Sequence, residues 1–129
     1  MKIIDSKNYV DKARTVIERL KEYKNNRGKE ELLTTSQIRS ILAMTADIYN
    51  DVIVLTDETL TDRINEKLGY LRIRCIYEAG RDELVKRFVK HSQLLEGLSE
   101  VDNRKDYILF SHYVESLVAW HRYVGGRDN

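Results

Sequence analysis

Proline is absent from the 129 residues, cysteine occurs once, and the charges nearly cancel, with 22 Lys+Arg against 21 Asp+Glu. Each shortage excludes something. Without proline, no helix is forced to kink or stop by a ring that lacks an N–H. Cys75 alone cannot form an internal disulfide or a cysteine cage for zinc, so a reducing cytoplasm is the expected setting. Apolar runs are short, as at Ile53 to Leu55, far below the roughly 18 to 20 residues of a membrane span, so no membrane partner is expected. The opening Met1-Lys2-Ile3-Ile4-Asp5 turns acidic too early for a signal peptide. A formal charge of +1 argues against a protein that grips nucleic acid by bulk charge, because such domains carry a large basic excess. What is present, 42% hydrophobic and 33% charged residues, suits one soluble domain of residues 1–129 with a buried core.

The small net charge is a sum of opposed patches. Residues 1–29 hold nine Lys/Arg against four Asp/Glu, and residues 63–91 hold eight against four. Between them, residues 47–62 carry Asp47, Asp51, Asp57, Glu58 and Asp62 with no basic residue. Such a chain can meet a polyanion on one surface and a basic partner, a copy of itself included, on another.

Apolar residues recur at three- and four-residue steps, the period of a helix. Val10, Ala13, Val16, Ile17 and Leu20 give a first helix over about residues 6–25, closed by the loop Lys24-Asn25-Asn26-Arg27-Gly28. Thr34-Thr35-Ser36-Gln37 reads as a capping box, with Leu33 and Ile38 as its hydrophobic staple. Ile38, Ile41, Leu42, Thr45, Ile48, Tyr49 and Val52 follow on one face. A third helix is expected from Asp57 or Thr59 to Ala79, burying Leu60, Ile64, Leu68, Leu71, Cys75 and Ala79. Ile73 and Ile76 add a second apolar side, which predicts that its C-terminal half is the most enclosed part of the fold. Gly80 is expected to stop it in the left-handed conformation and Asp82 to cap the next helix. That fourth helix buries Val85, Phe88, Val89 and Leu95 and continues or breaks near Gly97. The last begins after Asp102-Asn103, carries Tyr107, Phe110, Val114, Leu117, Val118, His121 and Val124, and ends at Gly125-Gly126. The expected fold is all-α, a single compact bundle of about five helices.

No enzyme signature stands out. His112 and His121 are nine residues apart, which at about 100° per residue sets them on opposite sides of one helix, where they cannot share a metal. Neither Glu-x-x-His nor His-Glu-x-x-His is present, and Cys75 lies on an apolar face as a packed thiol. No catalytic residue, metal or cofactor is expected.

The third helix carries a more specific pattern. With Arg63 at zero, Lys67, Tyr70, Arg74, Tyr77 and Arg81 all fall within about 40° of it. Four cations and two tyrosines therefore share one stripe about 27 Å long, to which Lys86, Arg87 and Lys90 beyond Gly80 add an expected extension. Cations neutralise phosphates, and tyrosine hydrogen-bonds a phosphate or 2′-hydroxyl or stacks on an unpaired base. The alternative is a solvated face laced by pairs such as Arg74–Glu78.

Three segments then resemble a known family. They are Leu33-Thr34-Thr35-Ser36-Gln37-Ile38-Arg39, Tyr70-Leu71-Arg72-Ile73-Arg74-Cys75-Ile76-Tyr77-Glu78-Ala79-Gly80-Arg81, and Tyr113, Glu115, Leu117-Val118-Ala119 with Tyr123 and Gly125-Gly126. Together they are similar to the small subunit of the type III-A CRISPR effector, the Csm complex. The resemblance implies a non-catalytic helical subunit of a cytoplasmic ribonucleoprotein in antiviral defence. Such subunits stack in several copies beside the backbone subunits, contact the guide RNA–target RNA duplex, and touch the large signalling subunit. Base pairing then supplies sequence specificity and the protein supplies backbone contacts. On this likeness Arg39, Arg74, Arg81 and Lys86 become the first candidates for RNA contact, with Arg63, Lys67, Tyr70, Tyr77 and Lys90 beside them. Arg72, on the opposite side of the helix, is the candidate for an acid inside the bundle or for a neighbouring subunit, and segment 47–62 for the basic end of the next copy. The competing reading is a helical protein–protein interaction module or spacer that never touches RNA.

Overall fold

Two threonines with free extended backbone set the starts of the two longer N-terminal helices. The computed structural model describes residues 2–24, 27–28 and 31–125; Asn25, Asn26 and Gly126, assigned above to loops, lie outside them. The elements are α1 (Tyr9–Lys21), α2 (Thr35–Ile53), α3 (Asp62–Arg81), α4 (Glu83–Ser92), α5 (Leu94–Ser99) and α6 (Arg104–Tyr123). No strand occurs among the described residues. The expected all-α class holds, with one helix more than the five foreseen.

The capping box forms as expected. The Thr34 hydroxyl accepts the Gln37 N–H at 3.2 Å, and the Gln37 side-chain oxygen accepts the Thr34 N–H at 2.8 Å. Thr61 caps α3 in the same way, accepting from Ile64 N–H, so α3 starts later than Asp57 or Thr59. The residues ahead of it work elsewhere: Asp57 accepts the Thr59 N–H, and Glu58 takes the N–H groups of Arg104 and Lys105 at the start of α6. α1 is also shorter than expected. Asp5 accepts from Lys7 and Asn8 in a turn that holds residues 6–8 out of the helix, and Val10 is exposed.

α6 is the enclosed helix. It packs on α1 along one side and α2 along the other, and buries Tyr107, Phe110, Ser111, Tyr113, Val114, Leu117 and His121. Its two buried tyrosines keep their hydroxyls satisfied by donating to carbonyls, Tyr107 to Thr45 at 2.7 Å and Tyr113 to Ser92 at 2.8 Å. α3 is not the central helix: it packs against α2, α4 and α5 on one side only, which leaves Ile73 60% and Ile76 51% exposed. The apolar second side read from the sequence is therefore a surface.

Two breaks also differ from expectation. Gly80 is an ordinary helical residue; the chain leaves α3 at Asp82, whose extended backbone (φ −145°, ψ 121°) ends one helix while its carboxylate caps the next through Leu84 and Val85 N–H. The fourth helix breaks at Gln93, which takes the left-handed conformation (φ 56°), four residues before Gly97. The break turns Leu94 and Leu98 inward and leaves Leu95 half-buried. Gly97 serves packing instead, since a Cβ there would sit 2.7 Å from Ile4 Cδ1. Two lysines anchor opposite ends of α6: Lys2 binds Asp106 and the Glu100 carbonyl, while Lys21 donates to the Val124 carbonyl.

Candidate nucleic-acid interface

Along α3 the stripe splits into two parts with different electrostatics. In the first, Lys67 reaches back to α2 and lies 2.6 Å from Asp51 and 3.3 Å from Asp47. The Lys67 hydrogen bond holds the Asp51 carboxyl below its ordinary value, and Asp51 in turn raises the Lys67 ammonium. Exposed Arg63 adds to the pull on Asp51. Much of the charge of segment 47–62 is thus spent inside the chain. Beside Lys67 runs an apolar groove of about 400 Å³ between α2 and α3, lined by Met44, Ile48, Tyr70 and Leu71 among others.

The second part is a surface cluster at the C-terminal end of α3. Glu78 accepts from Arg74 at 3.2 Å and from Arg81 at 3.5 Å, and both guanidinium carbons lie close to the Tyr77 ring, at 5.1 Å and 5.8 Å from its centroid. Two cations, one carboxylate and an aromatic ring therefore hold one another at the surface, with Tyr77 55% and Tyr70 62% exposed. The cluster keeps an excess positive charge beside an exposed ring, which suits contact with phosphate and base together. The Arg74–Glu78 pair foreseen for a solvated face is also present, so both readings find support in the same four residues.

Arg81 stands where three helices converge. Gln37 of α2 donates to Asp82 at 3.0 Å, and a cleft of about 150 Å³ is lined by Gln37, Ser40, Ile41, Glu78, Arg81, Asp82 and Val85. Lys86 and Lys90 follow on α4 and are exposed; Arg39 is exposed on α2 but does not line the cleft. Arg72 is exposed, and among the described residues no acid pairs with it, so the first of its two expected roles finds no support there.

A second cation–aromatic cluster escaped the sequence. Tyr23, just past α1, donates to or accepts from His91 Nε2 at 3.0 Å, and the Arg87 guanidinium lies 4.5 Å from the Tyr23 ring centroid while contacting Glu31. Tyr23 and His91 line one pocket between α1 and α4 with Arg19 and Glu22, and His91 lines a second with Lys12, Arg19 and Gln93, while Arg87, read from the sequence as an extension of the stripe, is turned to Tyr23 instead. The basic segments 1–29 and 63–91 meet here. Their shared charge sign was the only signal available, because the partners are 68 residues apart.

The other chemistry-bearing side chains are engaged in packing. Burial pushes the Cys75 thiol up to about 11, which keeps it protonated and unreactive. His121 is buried and donates from Nε2 to the Leu33 carbonyl at 2.7 Å; His112 lies 6.3 Å from the rings of both Tyr9 and Tyr49. Among the described residues no three His, Cys, Asp or Glu side chains converge to hold a metal, and no helix is long and apolar enough to cross a membrane.

Comparison with known proteins follows the same line. The family described as Csm2 Type III-A matches residues 11–127. A protein of Streptococcus thermophilus named CRISPR system Cms protein Csm2 is 38% identical over 128 residues, which covers 99% of this chain and 100% of the relative. A protein of the same name from Mycobacterium tuberculosis is 38% identical over 97 residues, 74% of this chain and 78% of the relative. One from Enterococcus italicus is 31% identical over 119 residues, 86% and 85% of the two chains.

Proposed function

The chain belongs to the Csm2 family, the small subunit of the type III-A CRISPR Csm complex, and from that premise we propose that it contacts the guide RNA–target RNA duplex through the surface running from Arg74 to Lys90. The family is that of a non-catalytic small subunit, and the role proposed here is to stabilise target binding through backbone contacts. The observation that carries this reading is the Arg74–Tyr77–Arg81 cluster: two guanidinium groups held against an exposed ring, with a single carboxylate between them. Holding the guanidinium groups in place lowers the entropy lost when they bind phosphate. Lys86 and Lys90 continue the positive surface on α4, and Arg39, Arg63 and Tyr70 border it. Lys67 is the weakest member of the set, because its two carboxylate partners must be displaced before it reaches RNA.

In this reading the chain acts in the cytoplasm as one helical-bundle domain, beside the backbone and large signalling subunits and neighbouring copies of itself. The test is target-RNA binding by the assembled complex as a function of salt. Each phosphate contact contributes about 0.7 to 0.9 to the log–log salt slope, so Arg81→Ala with Lys86→Ala should weaken binding and reduce the slope by about 1.5 per copy that contacts RNA. Unchanged affinity and slope in a folded, fully assembled complex would overturn the assignment. The spacer reading keeps one specific support, the partial neutralisation of the stripe by Glu78, Asp47 and Asp51. Ultraviolet crosslinking separates the two: a Tyr77 peptide bonded to RNA in the assembled complex belongs to the first alone.

A further inference from the structure

The groove between α1 and α4 carries cations that the duplex reading does not use. Two pockets adjoin in it, of about 280 Å³ and 370 Å³, and share Arg19 and His91. The smaller is lined by Lys12, Thr15, Val16 and Arg19 on α1 and by His91 and Gln93 across from them, with no carboxylate in its wall. The larger adds Tyr23 and one acid, Glu22. Lys12 and Arg19 are two turns apart on one face of α1, a rise of about 10 Å. Among the described residues neither pairs with a carboxylate: Lys12 donates to the Gln93 side-chain oxygen at 2.8 Å, and Arg19 is exposed. Their charge is unspent, unlike that of Lys67 or Arg87.

The Gln93 side chain is held over the smaller pocket by that bond, and its amide N–H groups have no partner among the described residues. Its backbone is left-handed, a conformation that glycine takes at no steric cost. A glutamine here keeps a side chain that the turn itself does not require. α4 in turn faces two ways. Arg87 and His91, four residues apart, both meet Tyr23 on the α1 side, while Lys86 and Lys90 lie about 100° round the helix in the surface assigned to the duplex.

The groove thus offers a row of cations that ends at an aromatic ring. Proteins hold a single strand in this way, with cations tracking the phosphates and a ring meeting a base. A duplex keeps its bases stacked inside and has no use for Tyr23. Nor does an acidic peptide fit as well, because Glu22 and Glu31 stand at the Tyr23 end, where an uncharged base is accepted and a carboxylate is repelled. We propose that the groove between α1 and α4 binds an unpaired stretch of RNA, with phosphates on Lys12, Arg19 and the Gln93 amide and a base against Tyr23. The proposal rests on the reading that the chain meets RNA, but on other residues and another form of RNA, so the two fail separately. Paired and unpaired RNA are then told apart by which face they meet.

The test is fluorescence anisotropy with the whole chain at low salt, using labelled oligouridylate as the single strand and a blunt RNA duplex of the same length. Lys12→Ala with Arg19→Ala should weaken oligouridylate binding several-fold and lower its log–log salt slope by about 1.4, at about 0.7 per single-strand phosphate, while duplex binding is unchanged. Arg81→Ala with Lys86→Ala should do the reverse. Tyr23→Leu should weaken oligouridylate binding without moving the slope, since it removes a ring and no charge. Because Lys12 also holds Gln93, Arg19→Glu serves as a second variant that leaves that bond in place, and melting temperatures check that each variant is folded. In the assembled complex, ultraviolet crosslinking should join a Tyr23 peptide to RNA outside the paired stretch, and a label on the guide or the target strand names its source. Equal losses of single-strand and duplex binding on removing Lys12 and Arg19 overturn the proposal. So do an absence of affinity for oligouridylate, competition by polyglutamate as strong as by RNA, or Tyr23 crosslinks confined to paired positions. An Arg81→Ala, Lys86→Ala chain that binds duplex undiminished overturns the duplex reading alone.

Discussion

Cys75 shows how a residue's role follows from where its neighbours leave it. Its thiol is 1% exposed among apolar side chains, and its titration moves from about 9 in a free thiol to about 11. The acid form is favoured by folding, so this contribution to stability is fully present below about pH 9 and disappears as the pH rises toward 11. A shift of that size amounts to about 2 to 3 kcal/mol. Urea denaturation should therefore show stability falling between pH 9 and 10, and Cys75→Ala should flatten that limb while lowering stability at pH 7 through the lost packing. Tyr107 and Tyr113, also pushed up by burial, add their own losses only above about pH 10. At this scale the sequence placed Cys75 in the core and the Arg74–Glu78 pair on the surface, but misplaced Ile73 and Ile76 and missed ion pairs between helices. Cys75 was legible as a packed thiol because helical periodicity places it with Ile64 and Leu71. The clamp on Lys67 was not, because Asp47 and Asp51 come from another helix, 20 and 16 residues away, and periodicity within one helix says nothing of its neighbour.

The starts of α2, α4 and α6 were readable from their capping residues, while the starts of α1 and α3 and the stop at Gln93 were not. A start is written in short-range side-chain chemistry, as the reciprocal bonds of Thr34 and Gln37 show. Thr34→Ala should accordingly cost about 1 kcal/mol in a denaturation experiment, with Thr34→Ser nearly neutral. The stop at Gln93 has no such mark, since glycine or asparagine is the usual left-handed residue and glutamine is not. Here tertiary packing decides: Leu94 and Leu98 are drawn into the core, and Lys12 of α1 bonds the Gln93 side chain at 2.8 Å. Gly97 misled for a related reason, because a glycine kept for close approach to Ile4 looks in sequence like one kept for a turn. The enclosure of α3 was misjudged because Ile73 and Ile76 count as core by hydropathy, although that face meets no other helix of this chain.

For the whole molecule, the near-zero charge separates into uses that one-dimensional counting could only outline. The acidic segment serves Lys67 and the first turn of α6, while the two basic segments meet along the groove between α1 and α4. The stripe itself was legible in the sequence, and the structure divides it into a clamped part at Lys67 and a surface cluster around Tyr77. Stability should be distributed accordingly. α6 is covered on two sides by α1 and α2, so its central amides, from Tyr107 to Leu117, are expected to exchange hydrogen only through global unfolding. Those of α3 should exchange through smaller openings and sooner. Hydrogen–deuterium exchange read by mass spectrometry on the isolated chain checks this order; α3 exchanging as slowly as α6 would contradict it.

The tethers at the two ends of α6 have a practical side. Lys2 is fixed beside Asp106 and Val124 is held by Lys21 past the last turn, so the described ends of the chain stand apart by the length of a 20-residue helix, about 30 Å. A connection from Lys2 to Val124 in a circular permutant would have to span about nine extended residues, with the residues beyond those two positions counted in it. A donor and an acceptor dye placed at the two ends would straddle the bundle's long axis, giving an optical ruler for whether α6 keeps its length as the chain enters its complex.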